Sequence, residues 1–202
     1  MAMFATKFVI LHELGHYLNG HCDYAISNGR SDFCFHLNDK IDNSLTPIQS
    51  QALEIDADCY AACFLRAEID NMYMQNDYIF SLVESKLDVY KLFAAGIQGI
   101  CCLMDIDNKK SSTHPMAHAR GVLCIDGACR QIPDHNYNYK EEIYKTLADV
   151  CNFSNTMNAK DKDEFANSLQ DYVHQAQEIE TCWKTDMYYK VKPFALSPIS
   201  NE

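Results

Sequence analysis

Basic residues are scarce in this chain of 202 residues: 17 lysines and arginines stand against 28 aspartates and glutamates, a formal net charge of -11. A surface so short of cations is poorly suited to neutralising phosphates or to lying on an anionic bilayer, so nucleic acid is not expected as a partner. Long apolar runs are missing too. The best candidate, LFAAGIQGICCLM at 92–104, has 13 residues and includes Gln98, short of the ~20 apolar residues that a membrane span needs. It reads as a buried helix. The apolar start, Met1 to Leu11, runs straight into His12 and Glu13 without a small-residue cleavage site, so it does not read as a secretory signal. With no secretory route expected, the ten cysteines read as reduced thiols of a cytoplasmic protein. A chain with 48% hydrophobic residues can fill a core without disulfide staples.

Strand signals are almost absent, and so are internal repeats and an obvious linker. What is present is helix after helix, which predicts an all-α protein with one domain over residues 1–202. A first helix is expected over residues 2–20, stopped by the Asn19-Gly20 pair. Residues 21–45, rich in Asn, Asp, Ser and Gly, read as a loop. TPIQ at 46–49 offers Thr as N-cap, Pro at the first helical position and Gln three residues after the cap, a capping box that starts a second helix from Pro47 to about Asn71. A third is expected over about 77–105, with a break near Gly96 or Gly99, and shorter ones near 116–125, 139–152 and 161–181. DNKKSSTHP at 107–115 and the tail after Trp183 read as irregular.

The chemistry is concentrated in FVILHELGHYLNGH at 8–21. His12 and His16 are four positions apart on a helix, so their rings project from one face and can hold one ion, with Glu13 beside them to act on a bound water. Such a site needs a third protein ligand and an open fourth position. ALEIDADCYAA at 52–62 supplies it: Glu54 and Asp58 share a helix face, and carboxylates on a core-facing helix are costly unless paired or metal-bound. Glu54 is the expected third ligand and Asp58 the acceptor that orients a ligating imidazole through its free N–H. Asp56 is expected to point elsewhere into solvent, and His21 to cap or contact a loop rather than bind metal. Two imidazoles and one carboxylate suit Zn2+ best among the common metals. Cys59 and Cys63, one turn apart, read as small buried hydrophobes rather than a second metal site. Cys124 and Cys129, at a turn-like spacing, lack a second close pair to complete one. The Tyr-rich NYNYKEEIYK at 136–145 reads as an exposed helix start or as part of a substrate groove.

HELGH, followed by EIDAD on the next long helix, resembles the gluzincin metallopeptidases, in which a Glu-x-x-x-Asp helix follows the HExxH helix. STHPMAHAR at 112–120 brings the resemblance closest to the Lit family of phage-exclusion peptidases. Order and helical setting agree from residue 8 to about 125, and the part from 126 to 202 carries no matching motif. The resemblance implies a zinc-dependent endopeptidase acting on a protein or peptide substrate, in phage defence or stress response. On the matched positions His12, His16 and Glu54 would bind zinc, Glu13 would be the base, and His114 and Arg120 would lie near the cleft, either as oxyanion stabilisers or pinning their loop through hydrogen bonds. Gluzincins place a small β-sheet before the HExxH helix. This sequence begins inside that helix, so the sheet is expected to be missing or minimal. A non-catalytic, zinc-bound helical module that binds a partner protein is the rival reading, and Glu13 speaks against it, because binding needs the ligands but not the base.

Overall fold

The computed structural model describes residues 1–28, 45–75, 78–107, 115–130, 132, 137–158 and 162–196. Every regular element among them is helical. In chain order they are α1 (Ala2–Leu18), α2 (His21–Ser27), α3 (Pro47–Met74), a 3-10 turn (Tyr78–Leu82), α4 (Lys86–Asp107), α5 (Ala117–Arg130), α6 (Tyr137–Asn158), α7 (Lys162–Cys182), a π-turn (Trp183–Met187), α8 (Tyr188–Val191) and a closing 3-10 turn (Lys192–Phe194). The all-α expectation holds, and none of the described helices is long and apolar enough to cross a membrane.

The pairing of α1 with α3 follows from what each presents. The buried stripe of α1 is Phe4, Phe8, His12, Gly15 and His16, a helical period of three to four that sets the two histidines in line with two core phenylalanines. The facing stripe of α3 contains Leu53, Glu54, Ala57, Asp58, Ala61, Ala62 and Leu65, with small residues where the helices come closest. A Cβ on Gly15 would lie 3.1 Å from the Tyr60 ring and 3.2 Å from the Ala57 backbone, so glycine there sets how near α1 can approach. The start of α3 is the expected capping box: the Gln49 backbone N–H donates to the Thr46 hydroxyl, and the Thr46 backbone N–H donates to the Gln49 side chain.

Two apolar clusters hold the helices together. The larger joins Phe4 and Phe8 of α1 to Ala61, Leu65 and Ile69 of α3, Phe93 and Ile97 of α4, Ile125 of α5 and Ile143 of α6. Phe4 meets Phe93 edge to face at 6.1 Å. The smaller joins Tyr24 of α2, Leu53 and Ile55 of α3, Ile179 of α7, Met187 and Val191. On α3 the carboxylates Glu54 and Asp58 fall between the segments that feed the two clusters.

Several boundaries differ from expectation. The helix stop at Asn19-Gly20 is real, with Gly20 at φ 80°, but the chain re-enters helix at once as α2 instead of running on as loop; residues 29–44 lie outside the described set. Apolar residues His21 aside, Cys22, Tyr24 and Ala25 of α2 are buried, and burial outweighs the polar composition around them. α4 passes through Gly96 and Gly99 unbroken, and the missing side chain at Gly96 admits the Met1 carbonyl and Phe4 of α1 against it. α5 extends to Arg130 and so holds Cys124 and Cys129 within one helix, both buried. The segment after Trp183 is helical to Phe194. Ile179, Met187 and Val191 keep a four-residue multiple and are each at most 1% exposed, so core packing carries the chain through the π-turn.

At Gly20, a Cβ would fall 2.3 Å from the Phe194 carbonyl carbon, and the Leu196 N–H donates to the Leu18 carbonyl at 2.9 Å just beside it. Gly20→Ala therefore combines left-handed strain with a backbone clash, and it is expected to cost about 2 kcal/mol or more in denaturant unfolding. A second expectation concerns Asp70 at the α3–α4 junction, where Lys86, Tyr90 and Arg66 all contact its carboxylate. Partial burial pushes this carboxyl upward, but the bonds from Lys86 and Tyr90 outweigh it and hold its pKa below the ordinary value. A depressed folded-state pKa contributes stability above the unfolded carboxylate pKa and loses it as pH falls through the folded one. Asp70→Asn should thus lower the melting temperature at neutral pH, with the gap to wild type closing on acidification below the carboxylate range.

Candidate metal centre

Three side chains from α1 and α3 converge where the two helices touch. The Nε2 atoms of His12 and His16 are 3.1 Å apart. Glu54 Oε2 lies 3.6 Å from His12 Nε2, and Glu54 Oε1 lies 3.5 Å from His16 Nε2. One ligand atom from each residue falls within 4.8 Å of the others, and all three residues are at most 3% exposed. Among the described residues this is the one such group of histidine, cysteine and carboxylate side chains.

Behind His12 stands a buried charge network. The His12 Nδ1–H donates to Asp58 Oδ1 at 2.8 Å, a direction set by the carboxylate, which can only accept. Arg120 of α5 donates to the same carboxylate from Nε at 2.7 Å and from Nη2 at 2.9 Å, a two-pronged bond. Its Nη2 also lies 3.8 Å from Glu54 Oε2. Burial alone would push the Asp58 carboxyl up, yet Arg120 and His12 hold it below the usual carboxylate range. Burial likewise pulls His12 down, and the carboxylates of Asp58 and Glu54 outweigh it, so its pKa is raised. His16 ends lower than an ordinary imidazole, with burial the leading cause.

Behind His16 stands a different arrangement. His16 Nδ1 is 2.9 Å from His21 Nδ1, and His21 Nε2 is 3.0 Å from Asp56 Oδ2. Asn19 also donates to Asp56 Oδ2, at 2.6 Å. The expectations for these two residues are corrected: Asp56 is not turned to solvent but is 16% exposed and hydrogen-bonded to α2 and the α1 terminus, and His21 is fully buried against His16. The sequence carried a signal for them, since His21 follows His16 by five residues and Asp56 lies between the two site carboxylates. Asp56 reaches the corner where the end of α1 meets α2, a helix that its polar composition does not announce.

Arg120 is 3% exposed and its guanidinium is turned onto Asp58. Glu13, one residue after His12, is exposed on α1. His114 lies outside the described residues. Cys59 and Cys63 are half-buried and pack against the larger apolar cluster; burial pushes both thiols above the ordinary range, and Cys59 donates weakly to the Leu123 carbonyl. Burial pushes the Cys129 thiol up to about 12. Tyr139 is half-buried and packs on Tyr90 with ring centroids 6.2 Å apart.

The donor set itself tests whether an ion fits. His12 spends its one neutral-form N–H on Asp58, so its Nε2 lone pair faces a second imidazole nitrogen at 3.1 Å beside an anionic carboxylate. At that distance either a His16 Nε2–H donates to His12 Nε2 or a cation sits between the two nitrogens and the carboxylate. Two imidazole nitrogens and a carboxylate, buried and backed by hydrogen bonds, suit a divalent transition-metal ion.

The site thus gathers two imidazoles and a carboxylate able to hold a metal ion, with an exposed glutamate next to the first histidine. The chain belongs to the peptidase U49 family, whose model matches residues 1–128. No curated protein and no solved structure matches it.

The Asp58–Arg120 pair makes a direct prediction. Arg120→Met would leave a fully buried carboxylate with one partner fewer, and breaking such a pair from one side costs about 3–5 kcal/mol. Chemical denaturation should show that loss, while Arg130→Met on the exposed end of the same helix should change stability by less than about 1 kcal/mol.

Proposed function

We propose that this peptidase is a zinc-dependent endopeptidase of the gluzincin type, similar to the Lit phage-exclusion peptidases, acting on a protein substrate within the cytoplasm. The observation that carries the reading is the convergence of His12 Nε2, His16 Nε2 and the Glu54 carboxylate. His12, His16 and Glu54 would hold the ion, leaving a position for water. When bound there, zinc would acidify water and polarise a peptide carbonyl.

The protein's own residues supply the rest. Glu13 is the proton carrier: its exposed carboxylate takes a proton from the attacking water and passes it to the leaving amine. Asp58 holds the His12 ring in the orientation that keeps Nε2 toward the ion, and Arg120 keeps Asp58 ionised at full burial. A protein that only bound a partner through a structural zinc would have no use for Glu13. The defence role rests on the likeness of STHPMAHAR to the Lit pattern.

Elemental analysis tests the ion first. One zinc per chain is expected in wild type and none in the His12→Ala, His16→Ala double variant; zinc persisting in that variant would overturn the assignment. Glu13→Gln should keep its zinc and lose about 10²- to 10⁴-fold in cleavage, read as new peptide N-termini in a host lysate. Unchanged cleavage by that variant would remove Glu13 from the mechanism.

A further inference from the structure

The two histidines are held from behind in different ways, and only the first matches the expected pattern. A neutral imidazole has one N–H, and which nitrogen carries it decides which nitrogen can bind a cation. Asp56, accepting only, requires the proton of neutral His21 to sit on Nε2. The His21 Nδ1 lone pair then faces His16 Nδ1 at 2.9 Å, and the bond forms only if His16 carries its own proton on Nδ1. That leaves the His16 Nε2 lone pair turned toward His12 Nε2 and Glu54.

We propose that His21 and Asp56 are positioning residues for His16, a relay from carboxylate through imidazole that sets its tautomer and aims Nε2 at the metal site. The proposal rests on the metal reading above. Each link is anchored separately. Asn19 donates to the same Asp56 oxygen at 2.6 Å and fixes the carboxylate. Gly20, with its left-handed backbone, turns the chain so that His21 opens α2 directly beneath His16. The Trp183 ring meets His21 edge to face at 6.2 Å, and His21 is fully buried, so its ring has no solvent partner to turn to. The arrangement at the two Nδ1 atoms is asymmetric: Asp58 touches His12 directly, whereas Asp56 stands one ring away from His16. It also makes the site depend on the chain beyond residue 128, because Trp183 and Phe194 pack around α2.

Two measurements on wild type, His21→Leu and His21→Asn test it. Imidazole nitrogen NMR shifts of the metal-free protein, at a pH where the rings are neutral, report the tautomer. Chelator competition reports zinc affinity. Wild type should show His16 protonated on Nδ1. His21→Leu should lose that preference and weaken zinc binding about 10- to 100-fold. His21→Asn, whose side-chain oxygen can accept from His16 Nδ1–H, should restore the tautomer and most of the affinity, which a role in packing alone would not produce. Far-UV circular dichroism of each variant checks that the helices persist.

His16 protonated on Nε2 in wild type, zinc held as tightly by His21→Leu, or no rescue by His21→Asn with its helices intact would each overturn the proposal. A wild type with the Nδ1 tautomer but no zinc affinity would overturn the metal reading and leave the relay standing.

Discussion

Asp58 is a carboxylate with no exposed surface, and the arrangement around it depends on keeping it charged. Three helices meet at that one side chain: α3 carries it, α5 brings Arg120 to it with two hydrogen bonds, and α1 brings His12 with a third. An ion buried alone would be neutralised or expelled, so the carboxylate and its partners must fold together or not at all. The consequence for function is orientation. With its Nδ1–H committed to Asp58, the His12 ring presents Nε2 to the space it shares with His16 and Glu54.

How close that space can become is a packing matter. Gly15 lies one residue before His16 and admits the Ala57 backbone and the Tyr60 ring to near contact. Ala57, Ala61 and Ala62 are fully buried on the facing helix. The apolar clusters on either side pin α1 and α3 to one another, and the polar group between them inherits its distances from that crossing. The site is thus an interruption of a core, which is why its carboxylates and imidazoles need so many internal hydrogen bonds.

The family match ends at residue 128, inside α5, yet the remaining chain is not an appendage of the site. Ile179, Met187 and Val191 complete the cluster that contains Tyr24 and Leu53, Gln49 at the start of α3 donates to Asp186, and Trp183 lies against His21. These contacts hold α2 against the end of α1, the corner from which His16 is supported. A candidate metal site built on two helices is in this way braced by a third region whose sequence carries no recognisable chemistry.

The sequence by itself determined the helical class, the Thr46 capping box and the stop before α2, because these rest on local backbone rules: apolar period, capping side chains and the left-handed tolerance of glycine. It also placed His12, His16, Glu54 and Asp58 as candidates, since four-residue spacing on one helix face brings chemistry into register without knowledge of the fold. Only the tertiary structure decided what Arg120, His21 and Asp56 do. Arg120 is separated from Asp58 by 62 positions and His21 from Asp56 by 35, and no local period connects residues that far apart. Their partners follow from how α5 and α2 are docked by apolar burial, a long-range outcome in which the same charges could otherwise have remained in water.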